Sequence, residues 1–349
     1  MQNKKKLVMV DFWSTIDLKG KPIGHGGKVG NEYYDYVKNF FDVKQYVNEG
    51  MLPYIRNPDK VAFTNSLKYN FTKITRIKVN LKCLWEIFQK EKDSVIWFYV
   101  PDIYLFVFLF FIPKRKRRLV VNVYEEYLTN KIKNLIFRRS LKKFDLIFVT
   151  NKKLLQDIPE GILIPDYAYN SEFYQKFIGT DKKEQVVCLG TMNEKKQLVQ
   201  AVETFSKIGY PLYIVGQFAS EEKFKHLCNI KADNITIENR FVDSNEYYHI
   251  LSESKYCLIP YDSGFYKNRT SGVIQECLFC NTIPISHKKI LEFSDIEGIG
   301  YDDIAELLNV NLSEVDTISL KASYAFKRQY FYDYNSIQQV IIKKINKLY

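Results

Sequence analysis

No stretch of this chain is apolar enough to span a membrane. Its longest uninterrupted apolar run, 103–112, holds ten residues, where a spanning helix needs about 20. Lys4-Lys5-Lys6 precedes only four apolar residues before Asp11, too few for a signal-peptide core. A cytoplasmic protein is expected. The cysteines are six and scattered: Cys83, Cys188, Cys228, Cys257, Cys277 and Cys280. Cys277 and Cys280 form one CxxC, but no second pair or histidine cluster completes a zinc site. The pattern suits buried reduced thiols rather than a disulfide framework. Histidine is scarce, with 4 in the whole chain. There is no low-complexity tract and no internal repeat, which excludes solenoid and propeller architectures.

What is present is material for two ordinary cores: 349 residues, 46% of them hydrophobic, is long for a single domain. The charge is uneven. Residues 1–165 hold 30 Lys/Arg against 16 Asp/Glu, a net +14, while 166–349 hold 21 against 24, a net −3. The first half therefore faces an anionic partner. The apolar run 103–112 sits directly before the basic run 114–118, a pairing that suits a protein resting on an anionic membrane. The other reading is a buried helix ending in a solvated basic turn. No recognisable nucleic-acid module accompanies the patch, so no nucleic-acid partner is expected.

Short β-branched runs alternate with segments of helical periodicity through the second half. Strands are expected at 185–189, 212–215, 235–237, 256–260 and 282–285, with helices at 195–208, 220–230, 245–251 and 272–279. Such alternation builds parallel sheets from βαβ units. The first half follows with strands at 7–10, 95–100, 119–123 and 146–149, a glycine-rich loop, and a helix over 32–41. The stretch 50–76 gives no clear pattern. Two prolines and a glycine interrupt 158–174, and 335–349 reads as an amphipathic terminal helix. The expected architecture is α/β: two Rossmann-like parallel-sheet domains facing a cleft. The first spans 1–165 and the second 166–332, with a helix over 333–349 packing back on the first.

Two stretches carry the chemistry. In Val187-Cys188-Leu189-Gly190-Thr191-Met192-Asn193-Glu194-Lys195-Lys196, a buried strand ends at a glycine and a helix is expected from about Glu194. Glycine lets backbone approach a ligand, and a lysine on the first helical turn can meet a diphosphate. The plainer reading is an ordinary βα loop with a solvated lysine pair. In the second stretch a strand reaches Pro260-Tyr261 and Ser271-Gly272 opens a helix through Glu276. Unpaired N–H groups at that start would hold an anion, and Glu276 could accept two ribose hydroxyls. The plainer reading is an N-cap followed by a helical glutamate.

In order, strand-Gly-turn-Lys, Tyr213-Ile214-Val215-Gly216, Pro260-Tyr261, Ser-Gly-helix-Glu and Asn281-Thr282-Ile283-Pro284-Ile285 resemble the donor-binding domain of GT-B glycosyltransferases. The resemblance is to the retaining family 4 that includes sucrose and glycogen synthases, and it covers about 185–300. It implies transfer from a nucleotide-diphosphate sugar to an acceptor hydroxyl; with the apolar and basic runs, a glycan acceptor, lipid-linked or a cell-surface polysaccharide, at the inner face of the membrane is expected. By it, Gly190 lies near the donor phosphates, Lys196 binds the diphosphate, and Glu276 is the second glutamate of the E-x7-E motif that holds the ribose. Tyr261, Ser271, Gly272 and Val273 complete the implied donor set. Thr191 stands where the family carries arginine. The first glutamate of the motif falls on Asn268, with Arg269 a candidate for the missing charge.

In the first half the layout implies that Gly26 and Gly27 face the donor phosphates. His25 and Asp102 are the catalytic candidates. No Asp-x-Asp triplet occurs in the chain, the device by which the GT-A class holds Mg²⁺ or Mn²⁺. A metal-free, cofactor-free site is expected, with helix N-termini and lysines neutralising the leaving group. A nucleotide-sugar epimerase and a catalytically silent partner protein are the alternatives.

Overall fold

A computed structural model of the chain describes every residue except 1–3, 12, 19, 24–25, 70–71, 125–130, 263 and 265–270. The chain divides into two compact units, Met1–Tyr167 with Asn335–Tyr349, and Ala168–Tyr334.

The first unit is built on a seven-stranded parallel sheet. Its strands are β1 (Lys5–Asp11), β2 (Phe41–Val47), β3 (Lys60–Ala62), β4 (Val95–Val100), β5 (Arg118–Val123), β6 (Leu146–Val149) and β7 (Ile162–Leu163), in the order β3-β2-β1-β4-β5-β6-β7. Helices α1 (Gly26–Val37), α2 (Lys73–Lys90), α3 (Ile103–Phe111), α4 (Lys131–Leu141) and α5 (Lys152–Asp157) link them. Central strands of such a sheet are covered on both faces and so read as continuous apolar runs. Leu7–Val10 and Val95–Tyr99 are accordingly buried throughout. Trp97 stacks on Tyr33 at 4.9 Å and donates its indole N–H to Asn122 Oδ1 at 2.8 Å.

The second unit repeats the plan with six parallel strands: β8 (Lys183–Leu189), β9 (Leu212–Gly216), β10 (Ile235–Asn239), β11 (Ser254–Ile259), β12 (Ile283–His287) and β13 (Ile299–Tyr301), ordered β10-β9-β8-β11-β12-β13. Its helices are α6 (Ser171–Ile178), α7 (Leu198–Ile208), α8 (Glu221–Ile230), α9 (Ser244–Glu253), α10 (Gly272–Phe279), α11 (Lys288–Ser294) and α12 (Thr317–Tyr330). The terminal α13 (Tyr334–Asn346) returns to the first unit, where Gln338 Nε2 donates to Tyr36 O at 3.0 Å. All six cysteines are free, and all but Cys228 are buried.

Several expectations need correction. The glycine-rich segment of the first half is not a loop leading to a helix at 32. Gly26, Gly27 and Gly30 lie on α1 itself, and they are small because the helix is pressed against its surroundings. A Cβ on Gly30 would stand 2.6 Å from the Tyr99 hydroxyl, and one on Gly27 2.9 Å from Met51 Cε. Phe41 opens strand β2 rather than closing a helix. The unread stretch resolves into a 3₁₀ turn at Glu49–Tyr54, strand β3 and the start of α2.

The apolar run is half core. Leu105, Phe106, Phe108 and Leu109 of α3 are buried, Phe108 stacking on Phe88 at 5.2 Å. Lys143 caps the helix, donating to the carbonyls of Leu109, Phe110 and Ile112. Much of the basic run works inside the unit. Lys114 pairs with Asp145, Arg117 donates to Phe88 O at 2.7 Å, and Arg118 lies over the Tyr349 ring. Arg115 and Lys116 are exposed.

Candidate functional site

Strand β8 delivers Gly190 in a left-handed conformation, φ +93°, which glycine adopts without strain. Its neighbour β9 ends at Gly216, where a Cβ would lie 1.9 Å from Gly190 O. The two strand ends can close on each other only because Gly216 lacks a side chain. Gly216, the last residue of the Tyr213-Ile214-Val215-Gly216 stretch, thus shapes the loop that carries Gly190.

Lys196 is not on a helix. The helix begins at Leu198, and the preceding segment is drawn across to the loop after β11. Gln197 N donates to Pro260 O at 2.7 Å and Asp262 N to Lys195 O at 2.9 Å, so these residues follow a neighbouring strand end rather than an α-helical path. The result places Lys196 in an antiparallel bridge with Tyr261 and joins the two sequence motifs. Lys196 is only 5% exposed. Its ammonium donates to Leu189 O at 2.7 Å, lies 5.8 Å from the Tyr261 ring, and is 4.0 Å from where a Gly190 Cβ would be. Its one other polar contact is Met192 Sδ at 3.7 Å, and no carboxylate among the described residues pairs with it. A buried, unneutralised cation is costly, and an anion beside Gly190 would relieve it.

The second motif follows β11. Every residue of α10 is buried, and the Ser271 hydroxyl at its N-cap makes no capping hydrogen bond. Gly272 and Val273 form the first turn and point the positive end of the helix dipole toward the end of the sheet. Glu276 is 4% exposed. Its Oε2 accepts from the Tyr247 hydroxyl at 2.7 Å and its Oε1 from Tyr248 at 3.1 Å. Tyr248 in turn meets the Tyr174 hydroxyl at 3.2 Å. Burial pushes both hydroxyls of α9 well above the ordinary tyrosine pKa, so they stay protonated as donors. Sequence reading missed this pair, because a Tyr-Tyr on an amphipathic helix looks like core. Gln275 Oε1, on α10 beside Glu276, is buried with no hydrogen-bond partner among the described residues. Thr191 is exposed; Arg269 and Asn268 lie outside the described residues.

In the first unit, His25 also lies outside the described residues. Gly26 stands at the start of α1, where a Cβ would meet Ser14 Oγ at 1.8 Å. Asp102 is 7% exposed at the N-cap of α3, and accepts from Asn80 Nδ2 at 3.2 Å. Arg76 of α2 acts electrostatically on both Asp102 and Asp11. Arg76 Nη2 donates to Trp13 O at 2.6 Å, and its guanidinium lies 3.6 Å from the centre of the Trp13 ring.

No protein-family model matches the sequence, and no curated protein does. The structure has many neighbours. Against sucrose-phosphate synthase from Thermosynechococcus elongatus it shows a TM-score of 0.69 at 12% identity, over 99% of each chain. Against HepE from Anabaena in complex with UDP the TM-score is 0.67 at 12% identity, over 98% of this chain and 100% of that one. The fold is GT-B. The same GT-B fold is shared by a UDP-N-acetylglucosamine 2-epimerase, TM-score 0.58 at 12% identity, over 97% of this chain and 95% of that one.

Proposed function

We propose that the chain is a glycosyltransferase that moves a sugar from a nucleotide-diphosphate donor to an acceptor hydroxyl. The observation that carries this reading is Lys196: a buried ammonium with no carboxylate partner among the described residues, set beside a left-handed glycine at a strand end. Gly190 lets phosphate oxygens approach the backbone, Lys196 and the α10 N-terminus balance their charge, and Glu276 receives the ribose. The developing charge on the leaving diphosphate is met by these fixed groups, with no metal required. Transfer with retention of configuration is the stereochemistry that the resemblance to family 4 supports. UDP is the first nucleotide to try, since structural neighbours carry it. The test is release of nucleoside diphosphate from a panel of UDP-, GDP- and TDP-sugars. An epimerase would instead return an epimeric nucleotide sugar with the diphosphate bond intact, and a silent partner would bind without turnover.

We assign the acceptor a lipid anchor at the cytoplasmic face of an anionic membrane. The support is a surface of the first unit rather than the basic run alone. Helix α2 exposes Lys73, Lys78 and Lys82 alongside Ile74 and Trp85, which are 69% and 53% exposed. Between α2 and α3 runs an apolar groove of about 860 Å³ lined by Leu81, Trp85, Val107, Phe108 and Phe111. Phe111 is itself 71% exposed. Cationic side chains framing exposed aromatic residues suit an anionic lipid interface.

A further inference from the structure

Asp11 closes β1 at an irregularity in the sheet. Val10 pairs with Phe98 of β4 but Asp11 with Val100, so Tyr99 is an extra residue and the ladder bulges there. Bulges re-aim side chains, and they gather beside functional sites. Asp11 is 1% exposed. Its Oδ1 accepts from the Trp13 and Ser14 amides, both at 3.0 Å, while Oδ2 is buried with no hydrogen-bond partner among the described residues. The start of α1 is pressed against the Ser14 hydroxyl and that oxygen: a Cβ on Gly26 would stand 1.8 Å from the first and 2.6 Å from the second. Burial raises the carboxyl above its ordinary pKa, against the opposing pull of Ser14, the Trp13 amide and Arg76. A buried acceptor atom without a donor is destabilising, and such atoms persist where a ligand or reaction uses them.

Asp102 follows the neighbouring strand β4, and Arg76 interacts with both carboxylates. Two acids and one guanidinium thus gather at the carboxyl ends of adjacent parallel strands, where open α/β sheets bind their ligands. Two carboxyl groups against one guanidinium offer acceptor oxygens, which suit hydroxyl donors. We propose that Asp11 binds a hydroxyl of a neutral sugar or polyol through Oδ2, and that the first unit's ligand is such a group rather than an acid. That this ligand is the acceptor rests on the glycosyltransferase reading; that Asp11 holds a hydroxyl does not.

The test compares the wild-type full chain with Asp11→Asn. Asparagine keeps an acceptor for the Trp13 and Ser14 amides and removes the charge. Thermal unfolding is measured, along with saturation-transfer NMR against methyl glycosides of glucose, galactose, mannose and N-acetylglucosamine, and UDP binding by calorimetry. We expect the variant to unfold at or above the wild-type temperature, because the buried carboxyl oxygen that lacks a donor is replaced. We also expect it to lose at least fivefold in glycoside signal and to bind UDP as the wild type does. A melting temperature several degrees lower makes Asp11 a structural cap and overturns the inference. So does a glycoside signal unchanged by the substitution, or one absent from the wild type. Failure of the wild type to bind any nucleotide overturns the donor reading instead, and the melting and glycoside results still decide Asp11.

Discussion

The Tyr247 hydroxyl donates to Glu276 Oε2 across 2.7 Å inside the second unit, so the carboxylate expected to hold a ribose is already oriented by a side chain of α9. Preorganisation of this kind lowers the cost of ordering on binding. Tyr247→Phe removes one hydrogen bond to a charged group, a loss of about 1.5 kcal/mol. Calorimetry with bare nucleotide should show affinity falling about tenfold, with the fold retained. Unchanged affinity would make Tyr247 a packing residue only.

The closing of β8 on β9 is equally specific. Gly216→Ala drives a Cβ into Gly190 O, and backbone cannot step aside as a side-chain tip can. A loss of about 1–3 kcal/mol is expected, lowering Tm by roughly 3–10 °C, together with loss of nucleotide binding. Gly209 is the control: it has φ +75° but nothing within 4 Å of its Cβ position. Alanine there should cost about 1 kcal/mol and leave nucleotide binding intact. Equal melting temperatures for the two variants would contradict the close approach.

These two features mark how far the sequence could be read. Strand ends, with Gly190 just past one of them, and the 272–279 helix are legible because apolar runs, Gly and Ser-Gly have local meaning. The helix at 73–90 was not, since its apolar positions are diluted by exposed lysines. The path of 193–197 was set by hydrogen bonds to Pro260 and Asp262, more than sixty residues away in sequence. Asp11 gave no signal at all, because a bulge against β4 is a property of pairing.

On the membrane, the internal engagement of Lys114, Arg117 and Arg118 shifts the expected contact to α2. Replacing Lys73, Lys78 and Lys82 together by Gln should release the protein from phosphatidylglycerol vesicles, at about 1 kcal/mol for each charge removed. Replacing Arg115 and Lys116 should have a smaller effect. Wild-type binding should weaken as salt rises, since exposed charges are screened beyond about 8 Å at physiological ionic strength. Absence of binding at low salt would leave the acceptor soluble.

If the diphosphate is neutralised by Lys196 and the α10 N-terminus, chelation should not matter. Dialysis against EDTA is expected to leave nucleotide release from the preferred sugar donor within twofold of the untreated rate. A tenfold fall, restored by Mg²⁺ or Mn²⁺, would show that a metal shares that charge.

The most direct measurement of the central claim is calorimetric titration of the wild type, Lys196→Ala and Glu276→Gln with UDP, GDP and TDP. The account predicts that the wild type binds one of them at one site per chain. Lys196→Ala should weaken that binding at least tenfold, because a charge-assisted contact worth about 1.5–3 kcal/mol is lost. Glu276→Gln should weaken it comparably, with all three proteins unfolding at similar temperatures. Nucleotide binding of equal strength in all three, or none in the wild type, would contradict it.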